Sequence, residues 1–383
     1  MKRKSNESRR RLLVGASLLP AMVLAASLAA GAASAAPNAH ARPHNSTPAS
    51  ATVTTFATGL NNPRGLKFGP DGNLYVAEGG LGGEDTTTPQ QCEQVPAPIG
   101  PYSGSPTGGR VSVIDPQGNV STVVDTLPSS QTQPMPGPLV SGVADIAFIG
   151  GQLYAILAGG GCSHGVPSQD NAVVKVDIAA HTWTQVADLS AFQKAHPVAN
   201  AEEDDFEPDG TWYSMLAVRG ALYAVEPNLG EIDRITTDGQ ITRVIDVSAH
   251  VGHIVPTALA YHGNFFVGNL GTFPQDLGSS KIWKVNPGGQ IKAWASGFDM
   301  VLGVAFDNRD RMYVLEMSAE NAAPAPNSGR ITRVDPSGAK TVIVDGLMFP
   351  TAMIMGPDGN LYVSVFGFGG GEGDGSVVKV TLP

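Results

Sequence analysis

The sequence is poor in charged residues and in cysteine. Only 15% of its 383 residues are charged and two are Cys, whereas 47 are Gly and 29 are Pro. Because Gly and Pro both destabilise helix interiors, this composition excludes a fold built mainly from long helices. The cysteines show neither C-x-x-C spacing nor a nearby His cluster, so a zinc site gains no support. The composition is that of a turn-rich, all-β protein.

The N-terminal 36 residues have the order of an export signal. Basic residues between Lys2 and Arg11 precede an apolar run from Leu12 to Leu28, and the small residues Ala33-Ser34-Ala35 follow. The Arg9-Arg10-Arg11 cluster fits either the general or the twin-arginine route. An uncleaved membrane anchor is the alternative, but the run is short for a bilayer span and contains Pro20. We expect a secreted protein without membrane insertion after signal removal, with residues 37–50 as a flexible lead-in.

The formal net charge of −10 limits the class of partner. Many of the basic residues lie in the export signal, so the mature chain is more acidic still. This balance argues against nucleic acid as the partner and permits cations. The sequence contains no H-E-x-x-H motif and no P-loop, and we expect no G-x-S-x-G nucleophile elbow.

One sequence pattern occurs six times, most clearly at Pro63–Val76 and Pro350–Val363. In each copy, two short apolar segments flank a turn such as Pro70-Asp71-Gly72-Asn73, which is typical of a β-hairpin. Two more strand-like segments follow most copies. The pattern predicts one all-β domain over residues 51–383, a six-bladed β-propeller of four-stranded antiparallel blades. The run Ala51–Ala57 should supply the outer strand of the last blade and close the ring.

Counting strands places the loops between second and third strands on one face of the ring, where most insertions fall. We call this the loop-rich face; its two longest predicted loops are Gly79–Gly108 and Gly159–Asn171. These loops contain Cys92 and Cys162, which an exported protein can join as a disulfide. Two free thiols or a metal site are the alternatives.

Four oxygen-bearing side chains share one position of the repeat, three residues beyond the aromatic of the second strand. They are Glu78, Glu226, Asn269 and Glu316. Converging carboxylates need a cation, a proton or hydrogen-bond donors, and hard oxygen ligands suit Ca²⁺ or another divalent cation. A divalent-cation site at the channel mouth is therefore one prediction, and simple capping of strand ends is the other.

Further polar and aromatic residues border the loop-rich face and are candidates for ligand contact: Arg64, Asp145, Trp212, Asn228, Asn62 and Phe273. Trp212 could stack on a planar ligand or pack in the interior. The acidic run Glu202–Asp205, with Glu207 and Asp209, lacks the ligand spacing of an EF-hand loop and fits a solvated loop better than a calcium site.

The chain resembles the ScyD/ScyE family. The resemblance rests on Thr58–Leu66, the Pro-Asp-Gly-Asn-Leu-Tyr-Val repeats, the Gly-rich first insertion and Glu207–Met215, and it covers residues 51–383. Members of this family often have two cysteines in the first insertion, whereas this chain has only Cys92 there, which makes Cys162 the natural partner. The resemblance brings no catalytic residues with it.

Two functions remain open from the sequence. The first is a non-catalytic, monomeric secreted propeller that binds an extracellular ligand or protein through its loop-rich face. The alternative is a divalent-metal-dependent hydrolase or lactonase resembling gluconolactonase-type propellers, with Glu78, Glu226, Asn269 and Glu316 as metal ligands. A lyase resembling streptogramin lyases would need a placed histidine that the sequence does not identify.

Overall fold

The computed structural model describes residues 51–383 except 98, 134–138, 202–205 and 320–322. The predicted export signal and lead-in, residues 1–50, lie outside the described residues, as does most of the acidic run. None of the described helices is long and apolar enough to cross a membrane.

In the described part of the chain, 25 strands form six antiparallel sheets, the blades, which confirms the predicted propeller. Blade 1 contains β2 (Pro63–Phe68), β3 (Leu74–Glu78), β4 (Tyr102–Ile114), β5 (Val120–Thr132) and β6 (Val140–Ser141). Blade 2 contains β7 (Val143–Ile149), β8 (Gln152–Leu157), β9 (Ala172–Asp177) and β10 (Thr182–Asp188). Blade 3 contains β11 (Ser214–Val218), β12 (Ala221–Glu226), β13 (Glu231–Ile235) and β14 (Ile241–Asp246).

The remaining three blades each have four strands. Blade 4 contains β15 (Pro256–Tyr261), β16 (Phe265–Asn269), β17 (Ser280–Val285) and β18 (Ile291–Phe298). Blade 5 contains β19 (Val301–Phe306), β20 (Met312–Glu316), β21 (Gly329–Val334) and β22 (Lys340–Leu347). Blade 6 contains β23 (Ala352–Met355), β24 (Leu361–Val365), β25 (Gly375–Thr381) and, as its outer strand, β1 (Thr52–Leu60).

The ring closes through β1, as predicted. This strand pairs with β25 from Thr52↔Thr381 to Leu60↔Gly375, so the two ends of the described chain share one blade. The first strands of the six blades contact one another in ring order around a central channel. Blade order around the channel therefore follows the sequence.

The hairpin turns explain why the same residues recur in the repeat. Gly72 has a φ of +83°, a conformation that side chains rarely adopt, and the Asp71 carboxylate accepts a hydrogen bond from the Tyr75 hydroxyl at 3.0 Å. Tyr362 donates to Asp358 in the same way at 3.2 Å. The tyrosine of the second strand is thus tied to the aspartate of the preceding turn.

The hydrophobic core lies between neighbouring blades. Tyr75 and Val111 of blade 1, for example, belong to the same buried cluster as Ile146 and Leu153 of blade 2. Each blade therefore needs its neighbours to remove its apolar faces from water, as in other stacked repeats.

Blade 1 departs from the four-stranded prediction. The strands β4 and β5 have 13 residues each and continue beyond the sheet onto the loop-rich face, where β6 joins β5 as a fifth strand. The predicted loop Gly79–Gly108 is thus wrong at its C-terminal end, because residues 102–108 belong to β4 and residues 102–105 pair with β5. The helices are short: a 3-10 turn at Cys162–His164, α1 (Leu189–Ala195) and α2 (Val247–Val251).

Candidate functional site

The four predicted cation ligands occupy equivalent places at the ends of the second strands, and all are buried. Glu78, Glu226 and Glu316 are fully buried, and Asn269 is 5% exposed. Each side chain is held by groups of its own blade or by the chain segment that leads into it. The partners differ from blade to blade.

In blades 1 and 5 the glutamate pairs with an arginine of the third strand. Glu78 accepts from Arg110 Nη2 at 2.6 Å and from the Ser112 hydroxyl. Glu316 accepts from Arg330 Nη2 at 2.9 Å and from the Thr332 hydroxyl at 2.7 Å. These are charge-assisted, well-satisfied contacts.

Blade 3 has no such arginine in its third strand. Glu226 accepts from the backbone N–H groups of Thr211 (3.1 Å) and Leu229 (2.7 Å). Burial raises the pKa of Glu226 to about 7, and the nearby Glu231 adds to the rise. In blade 4, Asn269 Oδ1 accepts from the Lys281 N–H at 2.8 Å.

The four residues are therefore not brought together as one ligand set. Within the described part of the chain, no group of three or more His, Cys, Asp or Glu side chains is arranged to hold a metal ion. The geometry matches the alternative that these side chains cap strand ends. A divalent-cation site stays a prediction without geometric support.

The loop-rich face contains a pocket of about 320 Å³. Its lining comes from the first four blades and includes three of the four main ligand-face candidates, namely Arg64, Trp212 and Asn228, together with Phe273. Trp212 is only 1% exposed and packs in the core of blades 2 and 3, as one of its two predicted roles requires, while stacking on a ligand stays a prediction. The pocket falls within the size range of small-molecule sites.

Asp145 does not line this pocket. It borders the central channel, a separate cavity of about 660 Å³, and accepts from the backbone N–H groups of Met215 and Ile146 at 2.8 Å each. Burial raises its pKa. Asn62 is fully buried and donates to the Gly80 carbonyl at 2.9 Å, which places it in the framework of the loops.

A buried polar chain, which the sequence did not reveal, begins in the pocket wall and continues into the interior. The Tyr102 hydroxyl donates to Glu207 Oε1 at 3.3 Å, and Glu207 Oε2 lies 3.3 Å from His164 Nε2. His164 Nδ1 lies 2.9 Å from the Ser130 hydroxyl. These residues come from four separate segments, so only the folded chain brings them together.

This Ser-His-Glu order resembles a catalytic triad, but its serine is inaccessible. Ser130 is fully buried and does not line the pocket. Residues Gly161–Gly165 match the G-x-S-x-G pattern, which corrects the expectation from the sequence that the pattern is missing. Their Ser163 is fully buried too, and it donates to Asp209 at 2.7 Å rather than to a histidine. Neither serine is placed to act as a nucleophile on a pocket ligand.

The predicted disulfide between Cys92 and Cys162 is confirmed. The two Cα atoms are 6.2 Å apart, and the bond joins the insertions of blades 1 and 2. His164 lies two residues beyond Cys162, so the crosslink is next to the buried polar chain. The disulfide therefore crosslinks the two insertions close to this polar chain.

No protein-family model and no curated protein sequence matches the chain. Solved structures match in fold. A protein of unknown function from Bacteroides thetaiotaomicron is 11% identical, with 86% of this chain and 75% of that chain covered and a TM-score of 0.54. A putative oxidoreductase (glucose dehydrogenase) from Thermus thermophilus is 18% identical, with 86% and 99% covered and a TM-score of 0.52.

A gluconolactonase from Xanthomonas campestris is 12% identical, with 87% of this chain and 90% of that chain covered and a TM-score of 0.52. At such low identity these likenesses show the fold alone, since propellers support many unrelated functions. The chain is similar in fold to six-bladed β-propeller proteins.

Proposed function

We propose that the protein is a secreted, ScyD/ScyE-like propeller that binds a small ligand, as a monomer and without catalysis, through its loop-rich face. The observation that supports this most is the pocket of about 320 Å³ lined by Arg64, Trp212, Asn228 and Phe273. A mainly apolar cavity with a few polar groups is the usual form of a small-molecule site.

The pocket is built by a rigid part of the fold. Three of its lining residues, Arg64, Val143 and Thr257, lie at or near the starts of first strands. The Cys92–Cys162 bond crosslinks two of the insertions that surround it. A pre-formed pocket loses little conformational entropy on binding, which favours affinity.

Secretion is supported by two features. The disulfide is of a kind that persists in oxidising compartments, and the N-terminal sequence has the order of an export signal. We expect the mature form to begin near residue 37, which mass spectrometry of the exported protein measures directly.

Binding through this pocket is tested with a library of neutral, anionic and cationic aromatic fragments. We would measure thermal shifts and ligand-observed NMR for the wild type, Phe273→Ala and Leu277→Ala. Phe273 (52% exposed) and Leu277 (56% exposed) lie in the same loop, but only Phe273 lines the pocket. Truncating either should leave the fold intact.

We expect fragments whose binding weakens several-fold in Phe273→Ala and is unchanged in Leu277→Ala. Absence of any Phe273-dependent ligand would overturn the pocket assignment. Turnover of lactones or esters that disappears on metal chelation would instead support the hydrolase alternative and contradict the non-catalytic part of the proposal.

A further inference from the structure

The pocket contains one guanidinium group, that of Arg64, whose hydrogen-bond partners among the described residues are neutral. Arg64 is partly buried at the start of β2, and its Nη2 donates to the Val140 carbonyl at 2.5 Å. Its other contact is with the hydroxyl of Tyr213, whose burial raises the pKa to about 12 and so keeps the phenol neutral. Neither of these two partners compensates the positive charge of Arg64.

The carboxylates near Arg64 are committed to other groups. Glu207, in the same pocket, interacts with His164 and Tyr102, and Asp145 accepts backbone N–H groups. Among the ion pairs between described side chains, none includes Arg64. Among the described Asp, Glu, Lys, Arg and His residues, Glu207 and His253 also line the pocket.

The surroundings of Arg64 are aromatic and apolar. Trp212, Tyr213, Tyr102 and Phe273 all contribute to the lining. A cation in such surroundings has lost part of its hydration, and an anion in the pocket would restore the lost interaction energy. The planar guanidinium fork matches a carboxylate in geometry as well as in charge.

We propose that the ligand is a planar aromatic molecule with a carboxylate group, in which the ring packs among the aromatic side chains and the carboxylate pairs with Arg64. This inference rests on the proposed function and names the ligand class of the same pocket. It assigns to Arg64 the selection of anionic over neutral ligands.

The test uses two probes of nearly equal shape, 2-naphthoate and 2-naphthamide, which differ in one negative charge. Their affinities are measured by calorimetry and saturation-transfer NMR on the exported, disulfide-bonded protein. The variants are Arg64→Met, Arg64→Lys and, as matched control, Lys67→Met. Lys67 lies on the same strand β2 but borders the central channel, so its loss removes one positive charge outside the pocket.

We expect the wild type to bind 2-naphthoate at least about ten-fold more tightly than 2-naphthamide, the usual effect of a charge-assisted hydrogen bond. Arg64→Met should abolish this preference while leaving naphthamide binding unchanged. Arg64→Lys should keep part of it, because lysine supplies the charge but not the fork. Lys67→Met should retain the full preference.

Three results would overturn the proposal. Equal affinities that depend on Phe273 would reject the anionic class and leave the pocket as the binding site. A preference lost in Lys67→Met but not in Arg64→Met would move the anion to the channel. No binding of either probe at millimolar concentration would reject this ligand class, and the fragment library then decides separately whether the pocket binds anything.

Discussion

Blades 1 and 5 bury a glutamate in one way, and blade 3 buries its glutamate in another. Glu78 and Glu316 each face an arginine across the strand pair, with the registers Glu78↔Arg110 and Glu316↔Arg330. In blade 3 the residue at the arginine's place is Glu231, so that the register pair is Glu226↔Glu231. Two acids face each other in blade 3, where blades 1 and 5 have an ion pair.

The next residue on the same face of the third strand also differs, because blade 3 again has an acid where blades 1 and 5 have none. Blades 1 and 5 have a hydroxyl there, whereas blade 3 has the fully buried Asp233. Among the described residues, neither carboxyl oxygen of Asp233 has a hydrogen-bond donor. Arg243 of β14 pairs with Glu231, so one of the three buried acids of blade 3 has a basic partner. Burial and Glu231 raise the pKa of Asp233 well above its ordinary value.

What the three blades share is the backbone contact. Glu78, Glu226 and Glu316 accept from the N–H groups of Asn61, Thr211 and Asp299, each of which lies just before a first strand. The glutamate therefore positions the chain segment that leads into the first strand, and this role needs only a hydrogen-bond acceptor. The way in which its charge is compensated is free to differ between blades.

The largest effect should come from removing the glutamate of an ion pair. We expect Glu78→Gln to lower the free energy of unfolding by about 3 to 4 kcal/mol, because Arg110 is left partly buried without a carboxylate. Glu316→Gln should cost less, because Arg330 also contacts Asp299 at 3.3 Å. Denaturant unfolding at pH 7 measures both values.

The exposed Glu372→Gln is the control and should change the free energy of unfolding by less than about 0.5 kcal/mol. An equal loss in the Glu78 and Glu316 variants would show that Asp299 does not stabilise Arg330. A gain in stability in either would mean that these pairs cost more to bury than they return.

A smaller effect of opposite sign should follow from giving blade 3 the pattern of blade 5. Asp233→Thr removes a buried acid that lacks donors and introduces the hydroxyl that Thr332 offers to Glu316. We expect a gain of about 1 to 2 kcal/mol at pH 8. The gain should shrink as pH falls, because lower pH favours the protonated form of Asp233, and burial of that form costs less.

The wild-type pH dependence follows from the same groups. An acid whose pKa is higher in the folded than in the unfolded protein makes its full contribution to stability below the unfolded-state pKa. This contribution is lost as the pH rises through the folded-state pKa. For Glu226 this window runs from 4.5 to about 7 and is worth up to about 3 kcal/mol. Denaturant unfolding of the wild type and of Asp233→Thr from pH 5 to 8 tests this pH dependence, with the exposed Asp238→Asn as control. A free energy of unfolding of the wild type that rises between pH 5 and 7 would contradict the role given to Glu226.

Sequence reasoning identified the repeat and the shared glutamate position because both depend on local spacing. It identified the closing strand because the last repeat lacks a fourth strand of its own. It could not tell where the glutamate points. The partners Arg110 and Arg330 lie 32 and 14 residues beyond Glu78 and Glu316, and only the strand register shows that they meet.

The pocket was partly predictable for the same reason. Strand counting placed Arg64 and Trp212 on the loop-rich face, and both line the pocket. The polar chain from Tyr102 to Ser130 was missed, since Glu207 is 105 residues from Tyr102 and no motif links them. Asp145 was misplaced because a residue near the start of a first strand can face either the loops or the channel.

The smallest effect should come from the hydroxyl that completes the pattern of blades 1 and 5. Ser112→Ala should lower the free energy of unfolding by about 1 kcal/mol, because Glu78 loses one donor and keeps Arg110 and the Asn61 N–H. The exposed Ser121→Ala on β5 is the control. A loss above about 3 kcal/mol would mean that the hydroxyl, rather than the arginine, is the main partner that stabilises the buried Glu78 side chain.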